Sequence, residues 1–324
     1  MQYTWYLMYG YELLYNNYTV SKGIIILLIN YTIIIRAEPI FRGRPRMKLL
    51  AHVTYFDGGT TAGVSAKTSA LKTSTNWREF NFFAVLRLLD EMECRYVAFG
   101  KVDVTIDVND ANAYQHRLPQ WRSFRKDACG TTMRVNVSVA VHRALSHPFR
   151  LAWAHREHML AMLEEYDWFL SLEGDTLVPA RAMDAQIALA TPLYRRHNMV
   201  LGFTRVVNDT QGRSFFSDIV RSASRNSVLA LDGLGKFVTP TNTYAAVWAY
   251  PRNVMRAFVH SADWSAQGKS IRGMRERAAW GWRHSQIVTL VDNSALRIYH
   301  LGKSGPYLVR ERGHNSWPVD RLVE

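Results

Sequence analysis

Cysteine is nearly absent: Cys94 and Cys129 are the only two in 324 residues. Two cysteines cannot build a disulfide framework. They are expected as two buried thiols, with one bridge in an oxidising lumen as the alternative. Acidic residues are also short, 27 against 40 Lys and Arg, for a formal net charge of +13. That balance favours anionic partners, whether nucleotide diphosphates, acidic glycans, a membrane surface or nucleic acid, without choosing among them. Nucleic acid has no local support, because the chain has no long lysine run and no zinc-finger spacing. A P-loop is missing too. Gly268-Lys269-Ser270 and Gly302-Lys303-Ser304 look like its ending, but Asp263 and Arg297 stand where its first glycine belongs. What the chain does have is 48% hydrophobic and 21% charged residues, enough for a globular α/β domain.

No apolar run reaches the ~20 residues of a spanning helix. Gly23–Ile35 is the longest, at 13. Arg36, Arg42, Arg44, Arg46 and Lys48 follow it and Lys22 precedes it. This asymmetry is the reverse of a type II anchor, which carries its positive excess on the N-terminal side. Three readings stay open: a weak signal anchor, which would put the protein in a Golgi or ER membrane; a buried or interfacial segment of an otherwise soluble protein; or an extension outside the functional domain. Residues 36–46 read as a basic linker, with two prolines and four arginines. The expected domain therefore spans 47–324.

Within it, Leu49–Phe56 reads as the first strand and Asn76–Met92 as a helix with Phe82, Val85, Leu86, Leu89 and Met92 on one face. Tyr96–Asp107 and Met133–Val141 alternate as strands, and Gln115–Thr132 reads as a polar, basic insertion. Leu151–Glu165 reads as a helix, Trp168–Leu172 as a buried strand and Ala180–Ala190 as a helix entered at Pro179. Asn208-Asp209-Thr210-Gln211-Gly212 marks a hairpin between two further strands. Tyr244–Tyr250 is a strand followed by a helix from Pro251 to Val259. Ile271–Trp282 reads as a short arginine-rich helix, and Ile287–Val291 and Leu296–Tyr299 as late strands. Strand–helix alternation followed by hairpins describes an α/β fold with a mixed sheet.

The chemistry concentrates at Tyr166-Asp167-Trp168-Phe169-Leu170-Ser171-Leu172-Glu173-Gly174-Asp175-Thr176. An apolar strand ends in two carboxylates one residue apart. In open α/β sheets ligands bind beyond such strand ends, and paired carboxylates there can hold a divalent cation that bridges to phosphates. An acid-x-acid triplet by itself is also what any strand followed by an acidic turn would show.

The surroundings carry a resemblance. Leu151-Ala152-Trp153-Ala154-His155-Arg156, then Tyr166–Asp175, then Pro240-Thr241-Asn242-Thr243-Tyr244-Ala245-Ala246-Val247-Trp248, and late in the chain His300, resemble a subgroup of nucleotide-sugar-dependent glycosyltransferases of the GT-A fold. The likeness covers about residues 47–303. It implies a Rossmann-like mixed sheet flanked by helices in a single catalytic domain, with a nucleotide-sugar half over 47–178 and an acceptor half over 179–310. It implies Mn²⁺ or Mg²⁺ held by Glu173, Asp175 and His300, a UDP- or GDP-sugar donor, and a glycan or glycoconjugate acceptor near Asn242, Tyr244 and Trp248. The subgroup commonly has three consecutive acids; Gly174 replaces the middle one, which leaves Asp175 the safest ligand.

Other residues divide between function and structure. Asp107 and Asn109 end a strand on the same expected edge and are read as base or ribose contacts, or as turn caps. Arg156 is read as a pyrophosphate contact or an internal ion pair. Trp248 and Tyr244 could stack on a sugar, although strand aromatics are more often core. His155 and His158 lack a further ligand motif and read as ordinary core or surface histidines. For the base that deprotonates the acceptor, Glu276 and then Asp263 are the candidates; an exposed ion pair competes for Glu276. The reading is thus a metal-dependent glycosyltransferase. The alternatives are a metal-dependent nucleotidyl- or phosphotransferase, or a basic non-enzymatic binder of glycan or nucleic acid.

Overall fold

The structure, a computed structural model, describes residues 20–21, 24–29, 32–36, 46–55, 75–109, 134–143, 145, 148–208, 214–216, 228–239, 246–265, 277–278, 281–283, 286–290, 294–301 and 317–318. The chain forms two compact units, Met1–Arg46 and Met47–Glu324. In the first, β1 (Val20–Ser21), β2 (Ile24–Ile29) and β3 (Thr32–Arg36) make an antiparallel sheet in that order. The segment weighed as an anchor is therefore a strand pair. Among the described residues no helix is long and apolar enough to cross a membrane.

The second unit is α/β. Its central sheet is built from β4 (Met47–Tyr55), β5 (Phe99–Val108), β6 (Arg134–Val141), β7 (Trp168–Glu173) and β14 (Val247–Pro251). The order is β14-β7-β4-β5-β6, with β14 antiparallel and the others parallel. A second sheet, β17-β11-β10-β16-β8, and a third, β12-β13-β15-β9, come from the later part of the unit. They contain β8 (Thr176–Leu177), β9 (Val200–Leu201), β10 (Thr204–Asn208), β11 (Ser214–Phe216), β12 (Val228–Leu231), β13 (Gly235–Val238), β15 (Ile287–Leu290), β16 (Arg297–His300) and β17 (Trp317–Pro318).

Period-two alternation gives the central sheet two unlike faces. On one, Leu49, Ala51, Val53, Val102, Val104, Ile106, Leu170 and Leu172 are buried. The helices Thr75–Arg95 and Ala180–His197 cover this face, contributing Phe82, Val85, Leu88, Leu89, Ala182, Met183 and Leu193 to one apolar cluster. The helix Ala180–His197 stops where Asn198 turns left-handed at φ 56 and its N–H reaches Tyr194 O at 2.9 Å. Cys94, on the first of these helices, is disulfide-bonded where two thiols were expected; Cys129 lies outside the described residues.

The other face is polar through much of its depth. His52 and Thr54 on β4 lie level with Thr105 and Asp107 on β5, and with Ser171 and Glu173 on β7. Asn136 and Ser138 extend the row onto β6. The short helices His155–Ala161 and Arg252–Val259 cover part of this face, and their Met159, Val254, Met255 and Phe258 cluster with Leu50, Phe169, Trp248 and Tyr250. The expected helix over Leu151–Glu165 is instead a 3₁₀ turn, Pro148–Trp153, and the helix His155–Ala161, followed by turns. The expected Ile271–Trp282 helix lies mostly outside the described residues.

Candidate active site

β4 has β5 on one side and β7 on the other, so the chain reverses its direction of sheet growth between β4 and β7. That is a topological switch point, where strand ends leave a crevice for ligand. Glu173-Gly174-Asp175 stands there. Glu173 N–H donates to Ala246 O at 3.1 Å and Gly174 N–H to Thr54 O at 2.9 Å, so the turn is tied to both neighbouring strands. The geometry also accounts for Gly174. A Cβ would meet Tyr55 Cδ2 at 3.2 Å, Thr54 O at 3.4 Å and Val85 Cγ2 at 3.5 Å. The middle position thus faces the apolar side of the sheet, where a carboxylate would be buried without a partner.

After Asp175 the chain enters β8, which pairs antiparallel with β16 and sets His300 opposite Thr176. His300 Nε2 lies 3.1 Å from Asp175 Oδ2, across 125 residues of sequence. Leu301 N–H donates to the Asp175 carbonyl at 2.6 Å and locks the pairing. Burial alone would raise the Asp175 carboxyl, but His300 beside it and the positive Arg205 hold it well below the carboxylate range. Asp175 Oδ1, Thr176 Oγ1 and His300 Nδ1 are buried with no hydrogen-bond partner among the described residues. Unsatisfied buried polar atoms are rare and call for a specific cause. The three sit together, on Asp175 and Thr176 and on His300 opposite Thr176.

Of the three expected metal ligands, Asp175 and His300 are brought together. Glu173 ends the same strand but does not complete a three-donor cluster; no group of three His, Cys, Asp or Glu that could hold a metal occurs among the described residues. The donor set still fits a hard cation that keeps water and completes its shell with ligand phosphates, since such ions take only one or two carboxylates from the protein. The orphaned Asp175 oxygen is the observation on which that fit rests.

Asp107 needs correction as a ribose contact. Its side chain is 1% exposed and both oxygens are engaged: Oδ2 with His52 Nδ1 at 2.8 Å and Oδ1 with His142 Nε2 at 2.9 Å. His52 Nε2 lies 2.9 Å from His158 Nδ1, making a four-member line. Burial pushes the Asp107 carboxyl up, but the field of His52 and the bonds from His142 and His52 bring it down to about 2. An ionised Asp107 only accepts, so His142 Nε2 and His52 Nδ1 each direct an N–H at it. Of the residues on that edge assigned to ribose, Asn109 keeps a buried Oδ1 with no partner among the described residues.

Arg156, expected as a pyrophosphate contact or an internal ion pair, is enclosed by core groups, with its Nε and Nη2 buried and without a hydrogen-bond partner among the described residues. It is buried, donates through Nη1 to the carbonyls of Asp263 and Trp264 at 2.5 Å each, and lies over the rings of Trp153, Phe258 and Trp264 at 4.0, 5.0 and 5.1 Å. Burial lowers it to about 9, partly opposed by Tyr250 and Asp263. Asp263 belongs to the same box: besides its carbonyl, its Oδ2 accepts Arg283 N–H at 3.4 Å. Trp248 is core as well, 3% exposed and stacked on Tyr250 at 4.9 Å. Asn242, Tyr244 and Glu276 lie outside the described residues.

His155 is fully buried beside Trp248, with ring centroids 5.5 Å apart. Burial, Arg156 and His52 together hold its imidazole well below the ordinary histidine value, so it is neutral in the fold. The unfolded chain takes up this proton below about pH 6.5, while the folded chain does not. Stability is therefore full above about pH 6.5 and falls as pH drops. His155→Leu is expected to flatten that limb. Its melting temperature should fall less than that of the parent between about pH 7.5 and 5.5 in a calorimetric series; parallel curves would show that His155 does not carry the acid sensitivity.

No protein-family model matches the chain, and no curated protein matches it. Among solved structures, the inositol-1-phosphate CTP transferase from T. maritima is a distant likeness, with 11% identity and a TM-score of 0.32 over 83% of this chain and 94% of that one.

Proposed function

We propose that the chain is a metal-assisted transferase for nucleotide-activated donors, moving a sugar from a nucleotide sugar to a hydroxyl acceptor. The observation that carries this reading is the trio of unpartnered buried atoms, Asp175 Oδ1, Thr176 Oγ1 and His300 Nδ1, at the carboxyl end of the switch-point strand. Asp175 and His300 would hold Mn²⁺ or Mg²⁺, with imidazole favouring Mn²⁺. When bound, the cation supplies Lewis-acid stabilisation of the departing diphosphate. The protein's own part is to fix the donors: β8–β16 pairing orients His300, and the bonds from Glu173 and Gly174 hold the turn in place. Glu173 would reach the cation through water or bind the ribose. Deprotonation of the acceptor is assigned to Glu276.

A donor-hydrolysis screen over UDP- and GDP-sugars, with and without Mn²⁺, tests the reading. Release of nucleoside diphosphate only with the cation is the expected result. A lasting nucleotidyl–product bond would indicate nucleotidyl transfer instead, and binding indifferent to chelation would indicate a non-enzymatic binder. In the same assay His300→Ala should raise the Mn²⁺ needed for half-maximal rate by about tenfold or more, the usual cost of disturbing metal ligation. An unchanged requirement would remove His300 from the metal site.

A further inference from the structure

We propose that the contact between His52 and His158 is an acid-released latch that holds the helix His155–Ala161 on the central sheet. The device does not depend on the transferase reading.

The helix is weak by itself. It has seven residues, and its N-cap, Ala154, offers no side-chain bond to the first turn. A helix this short does not persist in water, so tertiary contacts must hold it. Met159 joins the apolar cluster with Phe169 and Trp248. Arg156 donates to the carbonyls of Asp263 and Trp264. His158 Nδ1 meets His52 Nε2 of β4 at 2.9 Å. The last of these contacts depends on protons.

Two ring nitrogens at that distance need one proton between them. His52 Nδ1 directs its N–H at Asp107 Oδ2, so His52 carries a proton on Nε2 only as the imidazolium. A neutral His52 accepts from His158, and a charged His52 donates to it. The pair therefore tolerates one positive charge and not two. With both rings charged, N–H faces N–H and two like charges are in contact. His52 is 1% exposed, whereas His158 lies at the surface. Protons reach the pair from the His158 side, and that ring can turn into water when the contact fails.

The groups around the pair set the direction of the response. From β5, Asp107 and Asp103 favour charge on His158, and Asp103 is itself paired with Lys101. His142, at the end of β6, shares Asp107. From β7 the residue level with His52 is Ser171, which carries no charge. On the helix, His155 lies 6.0 Å from His52, ring to ring, and is held neutral. Burial and the field of His52 outweigh the two carboxylates and keep His158 below the ordinary histidine value. A released His158 takes up its proton below about pH 6.5, while the latched one resists it. The latched form is therefore favoured above that pH and loses ground as pH falls. Release reaches beyond the helix, because Arg156 ties it to the turn at Asp263 and Trp264.

Hydrogen–deuterium exchange of the full chain, read by mass spectrometry over residues 155–161 and 261–265 at about pH 7.5 and about pH 5, tests the latch. Corrected for the intrinsic rate, protection in both segments should fall about tenfold at the lower pH, from one lost hydrogen bond and two facing charges. The fall should exceed that in β7. His158→Gln keeps a side-chain donor and acceptor but cannot become charged, so its helix should stay protected at both pH values. His155→Leu should retain the parent's fall, which separates the latch from the buried neutral histidine. No fall in the parent, an equal fall in β7, an undiminished fall in His158→Gln, or its disappearance in His155→Leu overturns the latch.

Discussion

Asp175→Asn should leave a folded protein whose Mn²⁺-dependent cleavage of a nucleotide sugar is reduced by at least about a hundredfold. The amide keeps the shape of the carboxylate and can still accept from His300 Nε2, now 3.1 Å from Asp175 Oδ2. It cannot supply the negative charge that makes this oxygen pair attractive to a divalent cation. Lewis-acid stabilisation of a leaving diphosphate amounts to several kcal/mol, and each 1.36 kcal/mol is tenfold in rate. The measurement is turnover against Mn²⁺ concentration, with circular dichroism confirming the fold. If Asp175→Asn keeps full metal-dependent turnover, the cation binds elsewhere and the three unpartnered atoms have another purpose.

Asp107→Ala is expected to fail differently, in stability and not in chemistry. Asp107 is 1% exposed and answers two imidazoles at once, His52 at 2.8 Å and His142 at 2.9 Å. Truncation leaves buried His52 without its acceptor and opens a cavity between β4 and β5. Leaving a buried donor without its acceptor costs about 1–3 kcal/mol, with the cavity in addition, against a total stability of about 5–15 kcal/mol for a typical domain. Urea unfolding should show a large drop in midpoint, or no folded state. Asp107→Asn should recover part of this, because an amide still offers one acceptor oxygen. If Asp107→Ala unfolds at the parent's midpoint but loses affinity for a nucleotide sugar, then Asp107 contacts ligand after all and the histidine line is incidental.

The two residues show which features are legible in a sequence. Asp175 is visible because its signal is local: a buried strand, an abrupt end and a second acid two residues before. Asp107 is visible as a strand-end acid, but its role is not, because His52 and His142 are 55 and 35 residues away. Alternation misled as well as helped. Thr105 and Asp107, like His52 and Thr54, alternate with apolar neighbours in the manner of a solvent-facing side, and a buried polar face has the same spacing as an exposed one. His52 and Thr176 therefore carried no signal, and Arg156 read as a ligand contact although it is enclosed by Trp153, Phe258 and Trp264.

The sequence alone determined what depends on neighbours along the chain. Hydrophobic periodicity set the strands of the central sheet and the helices Thr75–Arg95 and Arg252–Val259 to within a few residues, but not β8, β12, β13 or β17; Pro251 set the start of a helix, and the strand-plus-acids motif set one end of the site. Only the tertiary structure decided what depends on residues far apart. Pairing of β8 with β16 brings His300 to Asp175, and register across β4 and β5 turns Asp107 from a candidate ligand into the hub of a histidine line. The reason is physical. Local geometry follows from backbone sterics and side-chain spacing over a few residues, whereas a buried charge takes its meaning from the partners that long-range pairing sets within about 3 Å of it.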